Sequence, residues 1–252
     1  MTPERLAALT RVADALPDLG RPLLVAVDGG DGAGKSWFAD DLARFLEERD
    51  RTVVRATVDD FHQPRAHRHA LGRSGETVWS RSFDYHALRR DLLDPWCNGA
   101  GSAYRRRHHD LAADACVDET PDGVPPHGVL VFDGVFAQRE ELRGCWDLVV
   151  WLEVADEERV RRMAGRDGAP ADPAHPDQQR YLDAQRIYRA AVDPAGCADI
   201  VIDNTDPERP QAAEDRLVPP PGWHRTAHGF RRVVTTDGET AAGINRLLGP
   251  EG

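Results

Sequence analysis

The sequence GGDGAGKS, residues 29–36, follows the apolar run LLVAVD, residues 23–28, and precedes a helix-like segment, residues 35–49. It matches the pattern G-x-x-x-x-G-K-[ST] between a strand and a helix, where backbone N–H groups and the helix N-terminus hold phosphate groups. The stretch therefore predicts a phosphate-binding loop (P-loop). We expect this loop to hold ATP through Gly29, Gly30, Asp31, Gly32, Ala33, Gly34, Lys35, Ser36 and Trp37.

Lys35 is the only lysine in a chain of 252 residues, in which lysines and arginines together number 32. An ammonium group is a compact point charge that can reach the β- and γ-phosphates, whereas a guanidinium is bulkier and differently shaped. The retention of a single lysine in the loop is therefore consistent with a catalytic role for Lys35 at the phosphates.

Five short runs rich in β-branched residues alternate with helix-like segments along the chain. The runs lie at residues 23–28, 52–59, 129–133, 148–154 and 199–203, and the segments at residues 35–49, 85–93, 156–165 and 178–192. Most of the runs lack apolar–polar alternation, which is typical of strands buried on both faces of a parallel sheet. We predict an α/β protein: a P-loop NTPase-type three-layer fold with a five-stranded, mainly parallel sheet and a mobile lid.

The predicted organisation has three parts. Residues 1–21 form an N-terminal amphipathic helix, and residues 22–205 form the P-loop domain. Residues 206–252 begin with a proline- and charge-rich stretch and form a C-terminal extension whose structure the pattern does not define.

Carboxylates follow two of the predicted strands. Asp133 ends the run VLVFD, the usual position of a residue that orders Mg²⁺ together with a P-loop hydroxyl, here Ser36. The alternative for Asp133 is a turn or helix cap before Gly134. Asp59, in VDDFH, could accept the proton of an acceptor hydroxyl as a general base, and the alternative is a solvated pair of turn residues with Asp60.

The composition limits the classes of partner. The formal net charge of −11 is spread along the chain, which argues against a nucleic-acid or anionic-membrane surface. No run approaches the roughly 18 apolar residues that a membrane helix needs, and the charged start MTPERLAALTRVAD shows no secretory signal. The four cysteines are widely spaced, so we expect reduced thiols in a cytoplasmic protein.

The motif order GGDGAGKS, VDDFH, Phe83-Asp84, VFDGVF, RRMAGRD and ADIVIDN resembles the uridine kinase family, over roughly residues 20–205. That family belongs to the P-loop kinases, with phosphoribulokinase and pantothenate kinase. The resemblance implies ATP- and Mg²⁺-dependent transfer of the γ-phosphate to the 5′-hydroxyl of a pyrimidine nucleoside, uridine or cytidine. Family members often form dimers or tetramers, so a homo-oligomer is left open.

The resemblance also implies roles for individual residues. Asp59, the first aspartate of the D-x-F motif, is the implied base, and Asp84 is the implied contact to the ribose hydroxyls. Arg162 and Arg166 of the lid helix would close on the ATP phosphates. The other implied acceptor contacts are His62, Tyr104, and His108 or His109.

Alternatives remain open at this point. The segment YRRRHHD also fits a basic, solvated hairpin, and the lid arginines also fit the exposed face of a helix. The chain departs from the family at Asp60, at His62 and in the lid after Asp167, so Arg180 and Arg186 have no assigned role. A zinc site at His62, His67 and His69 is disfavoured, because neighbouring arginines would repel a dication.

Two other functions fit the same motifs. One is a kinase that acts on a different small-molecule hydroxyl, such as a sugar or a pantothenate-like acceptor. The other is a non-catalytic ATP-binding regulatory module that acts through its C-terminal segment.

Overall fold

A computed structural model of the chain describes residues 1–168, 170–212, 223–226 and 229–232. Its helices are α1 (Pro3–Asp14), α2 (Lys35–Glu47), α3 (Arg65–His69), α4 (Gly75–Arg81), α5 (Tyr85–Leu88), α6 (Asp94–Asn98), α7 (Asp156–Asp167), α8 (Pro176–Val192) and α9 (Pro194–Cys197). A π-helical segment (Arg89–Leu93) joins α5 to α6, and 3₁₀ turns lie at Val58–Phe61 and Glu140–Leu142.

The strands are β1 (Leu23–Gly29), β2 (Val53–Thr57), β3 (Ala103–Tyr104), β4 (His109–Asp110), β5 (Ala115–Cys116), β6 (Asp122–Gly123), β7 (Val129–Asp133), β8 (Leu148–Glu153), β9 (Ile200–Asp203), β10 (Gln211–Ala212), β11 (Trp223–Thr226) and β12 (Gly229–Arg232). Three small antiparallel pairs, β3 with β6, β4 with β5, and β11 with β12, stand outside the central sheet.

The central sheet confirms the predicted α/β class. Within the described residues it has six strands in the order β10-β9-β8-β1-β7-β2. The five predicted strands are parallel, and β10 adds an antiparallel sixth at the edge beside β9. The prediction of five strands missed β10 because a two-residue strand is too short to show a periodic pattern.

Strand β10 lies beyond residue 205, where the sequence analysis ended the P-loop domain. The remaining residues of the predicted C-terminal extension, other than 206–212, β11 and β12, lie outside the described part of the chain. Within that part, no helix combines the length and apolar character that crossing a bilayer requires.

Helices cover both faces of the sheet and produce the three layers. Successive residues of β1 point to opposite faces, so Leu23 and Val25 pack in the cluster that contains residues of α1 and α2. Leu24 and Ala26 pack in the cluster on the other face, with residues of α5, α6 and α8. All of β1 is buried, which explains why its sequence shows no apolar–polar alternation.

Parallel pairing brings the carboxyl ends of the strands to one edge of the sheet. Val27 of β1 and Thr57 of β2 both pair with Asp133 of β7. The P-loop leaves β1 at the same edge. In an open α/β sheet this edge is where ligands bind.

Candidate active site

A cleft of about 930 Å³ opens at this edge of the sheet. Its walls come from the P-loop, the 3₁₀ turn after β2, helices α4, α7 and α8, and the residues after β9. It brings together the predicted residues Lys35, Ser36, Asp59, Asp133 and Arg162.

The P-loop has the geometry of an anion site. Gly32 and Gly34 have φ angles of +78° and +86°, in the left-handed region that favours glycine. Helix α2 begins at Lys35 with no side-chain cap from Gly34, which leaves its first amides available to an anion. The Lys35 ammonium donates to the carbonyl of Gly30 at 2.9 Å and so lies folded over the loop.

Arg159 of α7 packs directly on the P-loop, and the sequence analysis missed it. A Cβ on Gly30 would lie 1.7 Å from the Arg159 Nη1, and a Cβ on Gly32 would lie 2.5 Å from the Arg159 carbonyl oxygen. The guanidinium is 1% exposed, and no hydrogen-bond partner for it lies among the described residues. Its nearest carboxylate is Asp156, at 3.5 Å. The guanidinium therefore lies buried against the loop and outside the cleft lining, where its positive charge favours an anion bound by the loop.

Ser36 and Asp133 form an oxygen-donor pair at the end of the loop. The Ser36 hydroxyl donates to Oδ2 of Asp133 at 2.7 Å. Arg55 of β2 donates to Oδ1 of Asp133 at 2.7 Å and to the carbonyl of Val131 at 2.6 Å. Asp133 is 2% exposed, so these two contacts fix its carboxylate. The carboxylate is therefore not a turn cap, and Arg55 is a further residue that the sequence analysis missed.

The chemistry of this pair fits Mg²⁺. A hydroxyl and a carboxylate are hard oxygen donors, and Mg²⁺ in phosphoryl-transfer sites takes few protein ligands besides phosphate oxygens and water. Within the described residues there is no group of three His, Cys, Asp or Glu side chains that could hold a metal. A cation held by Ser36 and Asp133 would therefore be completed by phosphate and water. His67 and His69 of the disfavoured zinc reading lie exposed on α3.

Asp59 lines the same cleft as the phosphate-binding residues. It lies in the 3₁₀ turn after β2, and its side chain is exposed to solvent. The protein around the cleft still desolvates the carboxylate in part, which raises the pKa of Asp59, and the nearby His62 and Lys35 oppose that rise. A raised pKa makes the carboxylate a better proton acceptor near neutral pH.

The neighbours of Asp59 are held in place. The backbone carbonyl of Asp59 lies 2.9 Å from Nδ1 of His62, and the His62 ring lies 4.4 Å from the Phe83 ring between centroids. Burial lowers the pKa of His62, so the ring is more readily neutral. Asp60 pairs with Arg107 at 3.0 Å. The two aspartates are therefore not an equivalent solvated pair: Asp60 is bound to the hairpin and Asp59 faces the cleft.

Asp84 lies beside the cleft with its carboxylate engaged. It follows Phe83, which lines the cleft, and its Oδ1 accepts the amide of Ala87 at 2.8 Å as the N-cap of α5. The structure therefore brings Asp84 next to the predicted site as a helix cap.

The structure does not bring Tyr104 to the cleft. Its side chain is 3% exposed and packs in the core, with its ring 5.7 Å from that of Trp96 in an edge-to-face contact. Tyr104 therefore packs its large aromatic ring in the core and does not line the cleft, where the predicted base contact would require it.

His108 and His109 also lie away from the residues that line the cleft. Nδ1 of His108 is 3.3 Å from Asp91, and its ring is parallel to that of Phe61. His109 is 1% exposed, with Nε2 3.4 Å from Asp114. The segment is thus a packed and ion-paired hairpin beside the turn around Asp59, and the structure does not bring the two histidines into the cleft lining.

Arg162 joins the lid helix to the P-loop. Its guanidinium donates to the carbonyl of Gly32 at 3.3 Å, and to the carbonyls of Asn204 and Thr205 at 2.9 and 2.7 Å. At 16% exposure the side chain is not solvent-facing. The Arg166 side chain lies outside the described residues. Arg180 lines the cleft, whereas Arg186 is exposed and pairs with Asp183.

Comparisons with known proteins extend these observations. No protein-family model matches the chain. The chain is 26% identical over 188 residues to a phosphoribulokinase from Synechocystis sp., covering 73% of this chain and 54% of that protein. It therefore spans about half the length of that relative. It is 20% identical over 205 residues to a uridine kinase from Clostridium tetani, covering 73% of this chain and 94% of that protein.

Solved structures share the fold. A structure described as a possible uridine kinase from Bacillus stearothermophilus superposes with a TM-score of 0.62 at 23% identity, covering 78% of this chain and 96% of that chain. A phosphoribulokinase from Rhodobacter spheroides superposes with a TM-score of 0.50 at 12% identity, covering 91% of this chain and 86% of that chain. By motif, fold and relatives, the chain is thus similar to proteins of the P-loop kinase group that includes uridine kinases and phosphoribulokinases.

Proposed function

We propose that the protein transfers the γ-phosphoryl group of ATP to the hydroxyl of a small molecule, with the 5′-hydroxyl of uridine or cytidine as the first candidate acceptor. The observation that carries the proposal is the placement of the Asp59 carboxylate in the same cleft as Lys35 and the Ser36–Asp133 pair. A proton acceptor thus faces a phosphate-binding loop across a space that can admit a second substrate.

Each residue of the cleft has a separate role in the proposed phosphoryl transfer. Lys35 and the amides of the P-loop hold the phosphate oxygens, and the positive charges of Arg159 and Arg162 beside the loop help to neutralise them. Asp59 aligns the acceptor hydroxyl and takes its proton as the acceptor oxygen bonds to the γ-phosphorus. The bond from the γ-phosphorus to the bridging oxygen breaks, and ADP leaves with that oxygen. Catalysis by positioning and charge stabilisation of this kind is typical of phosphoryl transfer.

Mg²⁺ held by Ser36 and Asp133 would supply charge neutralisation at the phosphates. Arg55 fixes the second oxygen of Asp133, so the carboxylate keeps one orientation toward Ser36. The other wall of the cleft includes Val78, Phe83 and Phe136, whose apolar side chains can pack on an acceptor ring and exclude water from the transfer.

A second candidate acceptor is a sugar-type or pantothenate-like hydroxyl. The burial of Tyr104 removes one base contact that the resemblance to uridine kinases implied. One relative is named phosphoribulokinase, which also favours an acceptor other than a nucleoside.

The test is Mg²⁺-ATP turnover measured as ADP release, without acceptor and then with uridine, cytidine, other nucleosides, ribose, ribulose 5-phosphate and pantothenate. Release that rises only with pyrimidine nucleosides supports the first candidate, and release that rises only with another compound supports the second. Bound ATP with no acceptor-dependent release would instead favour a non-catalytic nucleotide-binding module.

Two neighbouring carboxylates provide a matched control. We expect Asp59→Asn to lower the transfer rate by about 10²-fold or more while ATP still binds. Asp60→Asn changes the adjacent residue, whose carboxylate faces Arg107 instead of the cleft, and should have a much smaller effect. Equal losses in both variants would contradict the role of Asp59 as the base. Lys35→Ala should abolish turnover.

A further inference from the structure

The P-loop shares the cleft with two further groups of lining residues. The acceptor arm is Asp59, His62 and Phe83, and the second group is Arg5, Trp37, Asn204 and Pro207. In the proposed reaction the γ-phosphate must face Asp59. We take the nucleoside half of ATP, at the other end of the triphosphate, to extend along the second group, which we call the donor arm.

Trp37 is the exposed aromatic side chain of the donor arm. It follows Ser36 in the first turn of α2, lines the cleft, and is 74% exposed. Trp96, Trp146 and Trp151 are instead buried at 6% exposure or less. An exposed indole at the mouth of a phosphate-binding loop offers a flat face to a planar ring.

One wall of the donor arm, formed by the residues after β9, is fixed in place. Arg162 donates to the carbonyls of Asn204 and Thr205, and Arg5 of α1 donates to the carbonyl of Pro207. A Cβ on Gly34 would lie 2.9 Å from the Asn204 amide nitrogen, so this wall approaches the loop closely. The arm therefore combines a wall that hydrogen bonds hold in place with an exposed indole.

The polar side chains of this wall are already engaged within the protein. Arg5 also donates to Asp41, and the Asn204 amide donates to the carbonyl of Ala33 at 2.8 Å. Arg162 has the contacts given above and also donates to Glu158 at 2.7 Å. Few of their donors are left to read the hydrogen-bonding edge of a base, whereas the face of the indole is open.

Trp37 also borders a smaller cavity of about 600 Å³. That cavity contains Asp40, Asp41, Glu48 and Glu208 against two arginines. A polyanionic nucleotide would be repelled there, which leaves the cleft as the side on which a nucleotide can meet the indole.

We infer that Trp37 is the platform on which the purine base of the donor nucleotide stacks, and that the donor arm holds the base by its face more than by its edge. ATP and GTP should therefore bind with similar affinity, because stacking on an aromatic face tolerates any purine base. The inference rests on the proposed function, since it takes the P-loop to hold a nucleoside triphosphate.

Binding of ATP, GTP and inorganic tripolyphosphate to the full chain with Mg²⁺ tests the inference. Tripolyphosphate carries the phosphates without a base. We expect Trp37→Ala to weaken the binding of ATP and of GTP by about tenfold and to change the affinity for tripolyphosphate by less than about twofold. Trp37→Phe should restore most of the nucleotide affinity. Leu71→Ala, at an apolar side chain that is 72% exposed and outside the cleft lining, is the matched control and should change neither.

Tryptophan fluorescence gives an independent readout. ATP should quench the emission of the wild type more than tripolyphosphate does, and Trp37→Phe should remove that difference. Unchanged nucleotide affinity in Trp37→Ala, or equal weakening of ATP and tripolyphosphate, would overturn the stacking role while leaving the P-loop assignment intact. A wild type that binds neither ligand would refute the proposed function and this inference with it.

Discussion

The Tyr188→Phe variant tests how the strand that carries the P-loop is anchored. Asp28, near the end of β1, is fully buried, and its Oδ2 accepts the Tyr188 hydroxyl and, at 3.2 Å, the Gln138 side-chain amide. The same hydroxyl accepts the backbone amide of Gln138 at 2.9 Å. Tyr188 belongs to α8, so this network ties the helix that follows the lid to the loop that binds phosphate.

The size of the effect follows from these bonds. Phenylalanine keeps the ring, which packs 5.2 Å from Phe136 between centroids, so the apolar contacts survive. The variant loses one donor to Asp28 and one acceptor for Gln138, both buried. Each buried polar group left unsatisfied costs about 1–3 kcal/mol, and the two groups together give a loss of about 2–6 kcal/mol in the free energy of unfolding. The melting temperature should fall by about 2–4 °C per kcal/mol.

The loss should depend on pH in a defined direction. Burial raises the pKa of Asp28 in the folded protein, and the hydrogen bond from Tyr188 opposes that rise. The folded state therefore keeps this proton to higher pH than the unfolded chain, so the Asp28 contribution to stability falls as pH rises from about 3.9 through the folded pKa. Without the Tyr188 donor the folded pKa is higher still, and the penalty of the substitution should grow as pH rises through this range.

Chemical denaturation at several pH values measures both effects. Tyr181→Phe is the matched control: it removes the same atom from the same helix, at a hydroxyl that accepts Arg180 at the cleft edge. We expect it to change the free energy of unfolding by less than about 1 kcal/mol. If Tyr188→Phe were no more destabilising than Tyr181→Phe, or if its penalty fell as pH rose, the reasoning about Asp28 would be refuted.

Three further predictions concern the site. Gly32→Ala places a side chain at a φ of +78° and a Cβ 2.5 Å from the Arg159 carbonyl oxygen. ATP affinity measured by calorimetry should therefore fall at least about tenfold, and near-normal affinity would contradict the loop geometry. The acid limb of the pH profile of kcat/KM should lie above the ordinary carboxyl range near pH 4, because desolvation raises the pKa of Asp59 and the base must be ionised. An acid limb within the ordinary range would exclude Asp59 as the general base. Arg55→Met removes the 2.7 Å contact to Asp133, so the Mg²⁺ concentration for half-maximal turnover should rise, and an unchanged requirement would remove Arg55 as a positioning residue.

Local motifs carried most of what could be predicted. The P-loop and the Ser36–Asp133 pair are encoded within short segments, each a strand followed by its ligand-binding residue. The cleft residues Lys35 and Asp59 follow from the same patterns because each lies within a few residues of a strand or helix end, whereas Arg162 was implied by the resemblance to the uridine kinase family.

Long-range packing decided what could not be predicted. Whether Tyr104 faces a substrate or the core depends on its contact with Trp96, and YRRRHHD carries no sign of the carboxylates that pair with it. Arg159 became visible only through its contact with Gly30 and Gly32, more than 120 residues earlier in the chain. The one available signal was its position one turn before Arg162, on the same side of α7.

The most direct measurement is the fate of the γ-phosphate. The protein would be incubated with Mg²⁺ and ATP labelled in the γ-phosphate, together with uridine or another member of the acceptor panel, and the products separated by chromatography. We expect label to move to the hydroxyl of one acceptor class in the wild type and in Asp60→Asn, and to remain in ATP with Lys35→Ala. Label that appears only as inorganic phosphate, or that never leaves ATP with any acceptor while ATP binds, would contradict assignment of the protein as a small-molecule kinase.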